Sequence, residues 1–200
     1  MKKQSEKIVQ NSEIHPLEPF IPNGAKVLML GSFPPKREKW SMEFYYPNWQ
    51  NDMWRIFGIV FFNDKNFFVE PRQKKFREEA IRQFLIEKKI AVSDTAREVV
   101  RLQDNASDKY LNIVAPVDLS QLLRQIPMCR DILTTGQKAC ETAASLLGAA
   151  VPGVGQHSSC IFEQHQIVLY RMPSSSRAYP LALDKKAEIY CQMFTELDLL

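Results

Sequence analysis

Apolar residues along the chain fall alternately into short unbroken runs and into helically spaced stripes. Lys26-Val-Leu-Met-Leu-Gly31 is an apolar run stopped by glycine, the pattern of a buried parallel strand. Asn51 to Phe57 predicts a short helix. Pro71 to Lys89 predicts a long one, because proline suits a first turn and Phe76, Ala80, Ile81, Phe84 and Leu85 share a face. Ile90-Ala-Val-Ser-Asp94 follows as a second strand. Leu119 to Gln125 reads as a short helix, Asp131 to Thr135 as a third strand, and Gly136 turns the chain into a helix from Gln137 to Leu147. Ser159 to Phe162 and Gln166 to Arg171 form a last strand region, with a hairpin as one arrangement. A helix from Asp184 closes the chain, its Ala187, Tyr190, Cys191, Phe194 and Leu197 facing the core. Strands alternating with helices predict an α/β fold with a largely parallel sheet covered on both faces. Ligands in such folds bind beyond the carboxyl ends of the strands.

Composition adds limits rather than a function. The 200 residues, without repeat or linker, fit one domain, expected over residues 15–200 behind a short leader at 1–14. The leader has lysines but no apolar stretch behind them, so a secretory signal is not expected. No run reaches the roughly 18 apolar residues of a membrane span. A net charge of +3 does not announce a nucleic-acid binder, although a local basic surface would hardly move that total. Lys74, Lys75 and Arg82 alternate with Glu78, Glu79 and Glu87, which reads as a solvated face. Cys129, Cys140, Cys160 and Cys191 are scattered without a C-x-x-C pair, and His15, His157 and His165 lack metal-ligand spacing. Reduced thiols in a cytoplasmic protein, with no metal or other cofactor, are expected. Neither a G-x-S-x-G elbow nor a P-loop occurs.

Three segments carry candidate chemistry. Gly31-Ser32-Phe33-Pro34-Pro35 leaves the first strand through a glycine that permits close backbone approach to a ligand, or simply a turn. Phe44-Tyr45-Tyr46-Pro47-Asn48-Trp49-Gln50-Asn51-Asp52-Met53-Trp54-Arg55 packs rings suited to stacking on nucleobases among polar amides. Taken alone, Asn51 reads first as the cap of the helix it opens. Arg171-Met-Pro173-Ser174-Ser175-Ser176-Arg177 offers small hydroxyl residues and a cation for phosphates, or an ordinary Ser/Pro loop.

In this order the segments resemble the uracil-DNA glycosylase superfamily, most closely its hypoxanthine-DNA-glycosylase-like branch. That branch carries G-S-M-P-G and Y-Y-x-x-x-x-N-x-x-W-R, here Gly31 to Pro35 and Tyr45-Tyr46 to Asn51 and Trp54-Arg55. Ala91-Val-Ser-Asp94-Thr, Ser107-Asp108, Leu133-Thr-Thr-Gly136 and Pro173-Ser174-Ser175-Ser176 continue the match. The resemblance implies a three-layer α/β/α sandwich with a mainly parallel four-stranded sheet. It implies hydrolysis of an N-glycosidic bond after a deaminated base, uracil or hypoxanthine, is flipped from DNA, without metal in the chemistry.

The site residues implied are these. Phe33 stands where other members carry a water-holding acid, so Asn51 is expected to position the water, with Asp52 a weaker candidate. Tyr46, or else Tyr45, is expected to stack on the base. Asp94 would read its edge, preferring an N–H because an ionised carboxylate only accepts. The backbone of Gly31, Ser32 and Phe33 would bind the base as well, Pro173 to Arg177 would grip the DNA backbone, and Tyr179 or Leu181 would fill the vacated stack. The implied partner is DNA containing a damaged base, bound by a monomer. Pro35 and Arg177 depart from the branch, which usually has glycine and often proline there. A binding module of the same fold without catalysis, and an enzyme acting on a nucleotide or nucleoside, are the competing readings.

Overall fold

The computed structural model describes residues 12–102 and 110–200, so Ser107-Asp108 lies outside the described residues. Chain order begins with β1 (Glu13–Ile14), β2 (Val27–Gly31) and α1 (Met53–Phe62), then β3 (Val69–Glu70), β4 (Lys75–Phe76), α2 (Glu78–Glu87), β5 (Ile90–Asp94) and β6 (Ala96–Arg101). It continues with β7 (Leu111–Pro116), α3 (Leu119–Gln125), β8 (Asp131–Thr135), α4 (Gln137–Leu147), β9 (Gln156–Phe162), β10 (His165–Met172) and α5 (Leu183–Glu196).

The main sheet has five strands in the order β5-β2-β8-β10-β9. Four run parallel, as expected; the fifth, β9, pairs antiparallel with β10 and forms the edge. The expected four-stranded sheet is therefore corrected to five. The hairpin turn is the reason: Glu163 and Gln164 both take positive φ, 45° and 70°, the twist that returns a strand directly beside its neighbour.

Burial explains why the parallel strands read as unbroken apolar runs. Val27 and Met29 of β2 pack into a core with Trp54, Phe57 and Phe194, from α1 and α5. Leu28 and Leu30 point the other way, into a core with Leu122, Ala143 and Leu147 from α3 and α4. Successive side chains alternate faces, and helices cover both. The first core is rich in rings, with Phe57 meeting Phe194 edge-on at 5.2 Å and Trp54 at 5.5 Å, the offset geometry aromatic pairs favour.

Two expectations change, and a second sheet appears beside them. Glu13–Ile14, assigned to the leader, pairs with Val99 and Glu98 of β6. Together β1, β6 and β7 make a second, antiparallel sheet whose pattern is mostly half-exposed and so carries no clear apolar period. The long helix from Pro71 begins instead at Glu78: residues 71–74 turn the chain and Phe76 pairs back onto Val69. Glu78 and Glu79 then occupy the first helical turn, where negative charge suits the dipole. Among the described residues no helix is long and apolar enough to cross a membrane, and the four cysteines are free.

Candidate active site

β2, β5, β8 and β10 all run toward one end of the sheet, where their following loops enclose a cleft of about 560 Å³. At its floor Gly31, the last residue of β2, lies in register with Asp94, the last residue of β5. A Cβ on Gly31 would overlap Asp94 Oδ1 and reach within 3.4 Å of Tyr46 Oη, so glycine is what lets the carboxylate lie there. Tyr46 has φ 53°, a left-handed value uncommon for a bulky residue. Its Oη hydrogen-bonds Thr135 Oγ1 at 3.1 Å, and its ring meets Trp54 edge-on at 5.9 Å. Tyr45, the alternative stacking ring, is buried, and its hydroxyl donates to the Glu18 carbonyl at 3.1 Å. Burial, and then the Asp94 charge, raise its pKa, keeping the phenol protonated.

Asp94 is itself buried, and its Oδ2 lies 2.8 Å from His15 Nε2. Phe33 turns its ring aside, edge-on to His15 at 5.1 Å and under Arg101 at 5.4 Å, onto the small core of Ala96, Val99 and Leu111. The loop after Gly31 is secured through carbonyls: Ser32 accepts from Ala96 N–H, Pro34 from Arg101 and Pro35 from Trp40 Nε1.

The opposite wall joins the start of α1 to the loop after β10. Asn51 Oδ1 accepts from Met53 N–H at 2.9 Å while lining the cleft; the cap position itself falls to Asp52, so the capping role expected of Asn51 is corrected to a turn just ahead of the helix. Asp52 N–H donates to the Ser175 carbonyl at 2.8 Å, and Asn51 forms an antiparallel bridge with Ser176. Beneath them the Asp52 carboxylate receives Arg177 Nε at 3.0 Å and Lys186 Nζ at 3.1 Å. Lys186 is only 1% exposed and also donates to the Ser176 carbonyl at 2.8 Å. Arg55 lies over Trp49 at 4.5 Å and donates to the carbonyls of Trp49 and Asn51; burial, followed by Arg177, lowers its pKa. Asp52 is thus corrected from a candidate water-holder to a rivet, both oxygens being engaged by cations.

Of the sequence-predicted residues, Gly31, Ser32, Phe33, Tyr46, Asn51, Asp94 and Ser174 to Arg177 all line this cleft. Pro173 stands behind it, buried, its carbonyl accepting from Tyr190. Tyr179 lines the rim and Leu181 does not. His15, Thr135 and Lys186 were not foreseen. For Lys186 a signal existed: it falls four residues before Tyr190 and eight before Phe194, on the buried stripe of the last helix. No cluster of three potential metal ligands occurs among the described residues.

No protein-family model and no curated protein matches the chain. Solved structures do match it, and what they share with the chain is its α/β fold. One such match is the solution NMR structure of a putative uracil DNA glycosylase from Methanosarcina acetivorans, with a TM-score of 0.60 and 21% identity. It covers 91% of this chain and 96% of that one, and at this identity the likeness is one of fold.

Proposed function

We propose that this protein is a DNA glycosylase of the hypoxanthine-DNA-glycosylase-like branch that removes a deaminated base, uracil or hypoxanthine, by hydrolysis. The observation that carries the reading is the convergence of Asn51, Tyr46 and Asp94 on one cleft, beside the Ser174–Arg177 loop. Its volume of about 560 Å³ lies within the roughly 300–1,000 Å³ of small-molecule sites, enough for an extruded nucleoside.

In this mechanism the flipped base stacks on Tyr46, and Asp94 with the backbone of Ser32 and Phe33 binds its edge. As the bond from C1′ to the base nitrogen lengthens, the sugar gains positive charge and the base takes the electron pair. The cationic sugar is a strong electrophile, so its water needs placement more than deprotonation. Asn51 suits that task. One lone pair of Oδ1 is fixed by Met53 N–H, which immobilises the side chain; the second is available to a water hydrogen. The water oxygen then bonds to C1′ and releases a proton to solvent, the base anion takes up a proton from solvent, and an abasic sugar and the neutral base remain. Ser174 to Ser176 and Arg177 hold the flanking phosphates.

The test is base release from oligonucleotides containing uracil or hypoxanthine, followed by alkaline scission at the abasic site. Release supports the proposal. Salt-sensitive DNA binding without release replaces it with the non-catalytic binding module. Turnover of free nucleosides without DNA binding replaces both.

A further inference from the structure

His15 lies behind the cleft, against Asp94, although no motif pointed to it. It enters just after β1, with its N–H donating to the Arg97 carbonyl at 2.8 Å. The ring is fixed on two sides, by the edge-on Phe33 and by Tyr45, stacked at 6.0 Å with an interplanar angle of 27°. The side chains of His15 and Asp94 are 4% and 8% exposed, so their 2.8 Å contact is screened little by solvent.

The second ring nitrogen makes this contact durable. Nδ1 lies 2.8 Å from the Leu17 carbonyl and 3.1 Å from the Leu17 N–H. Nδ1 is thus held on the Leu17 backbone, and against an ionised carboxylate the ring presents Nε2–H to Asp94 Oδ2. Oδ1 remains, pressed against Gly31 at the cleft floor. His15 and Asp94 both also border a second cavity of about 410 Å³.

We infer that His15 is a positioning residue that fixes Asp94 as a one-sided acceptor and thereby sets base selectivity. A base offering an imino N–H to the end of β5 is bound, and one presenting a ring-nitrogen lone pair there is refused. The inference rests on the base-binding reading of the cleft and goes beyond it in naming what holds the selective group. Uracil N3–H and hypoxanthine N1–H donate to Oδ1, whereas cytosine N3 and adenine N1 set a lone pair against a carboxylate. A hydrogen bond to a charged group corresponds to a preference of about 10- to 100-fold.

The experiment measures binding of single-stranded oligonucleotides carrying uracil, cytosine, hypoxanthine or adenine on a 2′-fluorinated sugar. The fluorine opposes positive charge at C1′ and so suppresses base loss. Wild-type protein should prefer uracil over cytosine and hypoxanthine over adenine. His15→Phe keeps the ring packing and loses the donor, so both ratios should fall toward one while overall DNA affinity persists. His15→Gln, whose amide donates again, should restore part of the preference. Asp94→Asn, its amide oxygen held by His15 Nε2–H and its NH2 turned to the base, should reverse the preference, which decides the matter if His15→Phe fails to fold. Ratios unchanged in His15→Phe or in Asp94→Asn, or no preference in the wild type, overturn the inference. Absence of base release from unfluorinated DNA sinks the glycosylase reading alone, because the binding ratios do not depend on it.

Discussion

On one wall of the cleft a single carboxylate, Asp94, meets one histidine; on the other a single carboxylate, Asp52, meets Arg177 and Lys186 with Arg55 close by. Both acids are buried, yet the outcomes are opposite. Asp94 has one oxygen engaged and one facing the cleft floor, so its wall offers an acceptor. Asp52 has both engaged by cations that outnumber it, so its wall offers positive charge through Arg177, which lines the cleft. A neutral base edge with an N–H complements the first wall and a phosphate the second. The role of a buried acid is therefore set by how many donors already reach it, more than by its identity.

Lys186→Met should break the second wall with the largest stability effect. It leaves Asp52 with the half-exposed Arg177 alone and should cost about 3 kcal/mol. In a chain of this size that is roughly 6–12 °C in Tm. Adding Asp52→Asn should recover part of the loss, and a melt unchanged by Lys186→Met would show that the pair is not buried. Gly31→Ala tests the first wall. The new methyl overlaps Asp94 Oδ1 and should cost about 1–3 kcal/mol while shifting the NMR signals of the His15 ring. Undisturbed His15 signals would place the carboxylate elsewhere.

How much of this was legible depended on sequence distance. The parallel strands were readable because burial on both faces left unbroken apolar runs ended by Gly31, Asp94 and Thr135. The same strand ends located the cleft. Phe76 misled because its spacing to Ala80 and Phe84 fits a helical stripe, although its backbone pairs as a strand with Val69. The second sheet was invisible, since Ala96-Arg-Glu-Val-Val-Arg101 is half-exposed and interrupted by register shifts. The partners of the two acids were also hidden. His15 lies 79 residues from Asp94 and Lys186 134 residues from Asp52, and no local pattern links such pairs.

Smaller effects sharpen the contrast. Arg177→Ala should weaken DNA binding almost equally for all sequences and lower the slope of log affinity against log salt by about 1. Loss of base preference in that variant would mean that the two walls are not separate. The smallest effect concerns pH and lies away from both walls. Burial pushes the Cys129 thiol up to about 12 and the Tyr170 phenol up to about 12. Both folded values are raised, so their contribution to stability is complete below the unfolded values of 9.0 and 10.0 and is lost as pH rises toward 12. Tm should begin to fall above about pH 9, less steeply in Cys129→Ala. An identical slope in that variant would exclude the thiol as a contributor.

The central claim is that the Asn51 amide, anchored by Met53 N–H, places the attacking water. Single-turnover base release by wild type and Asn51→Ala on the same oligonucleotide, with DNA affinity measured alongside, tests it most directly. The account predicts a loss of about 100-fold or more in the rate. It also predicts near-equal affinity and a stability loss of about 1 kcal/mol from the lost hydrogen bond to Met53 N–H. A variant that folds, binds and releases base at the wild-type rate would contradict it.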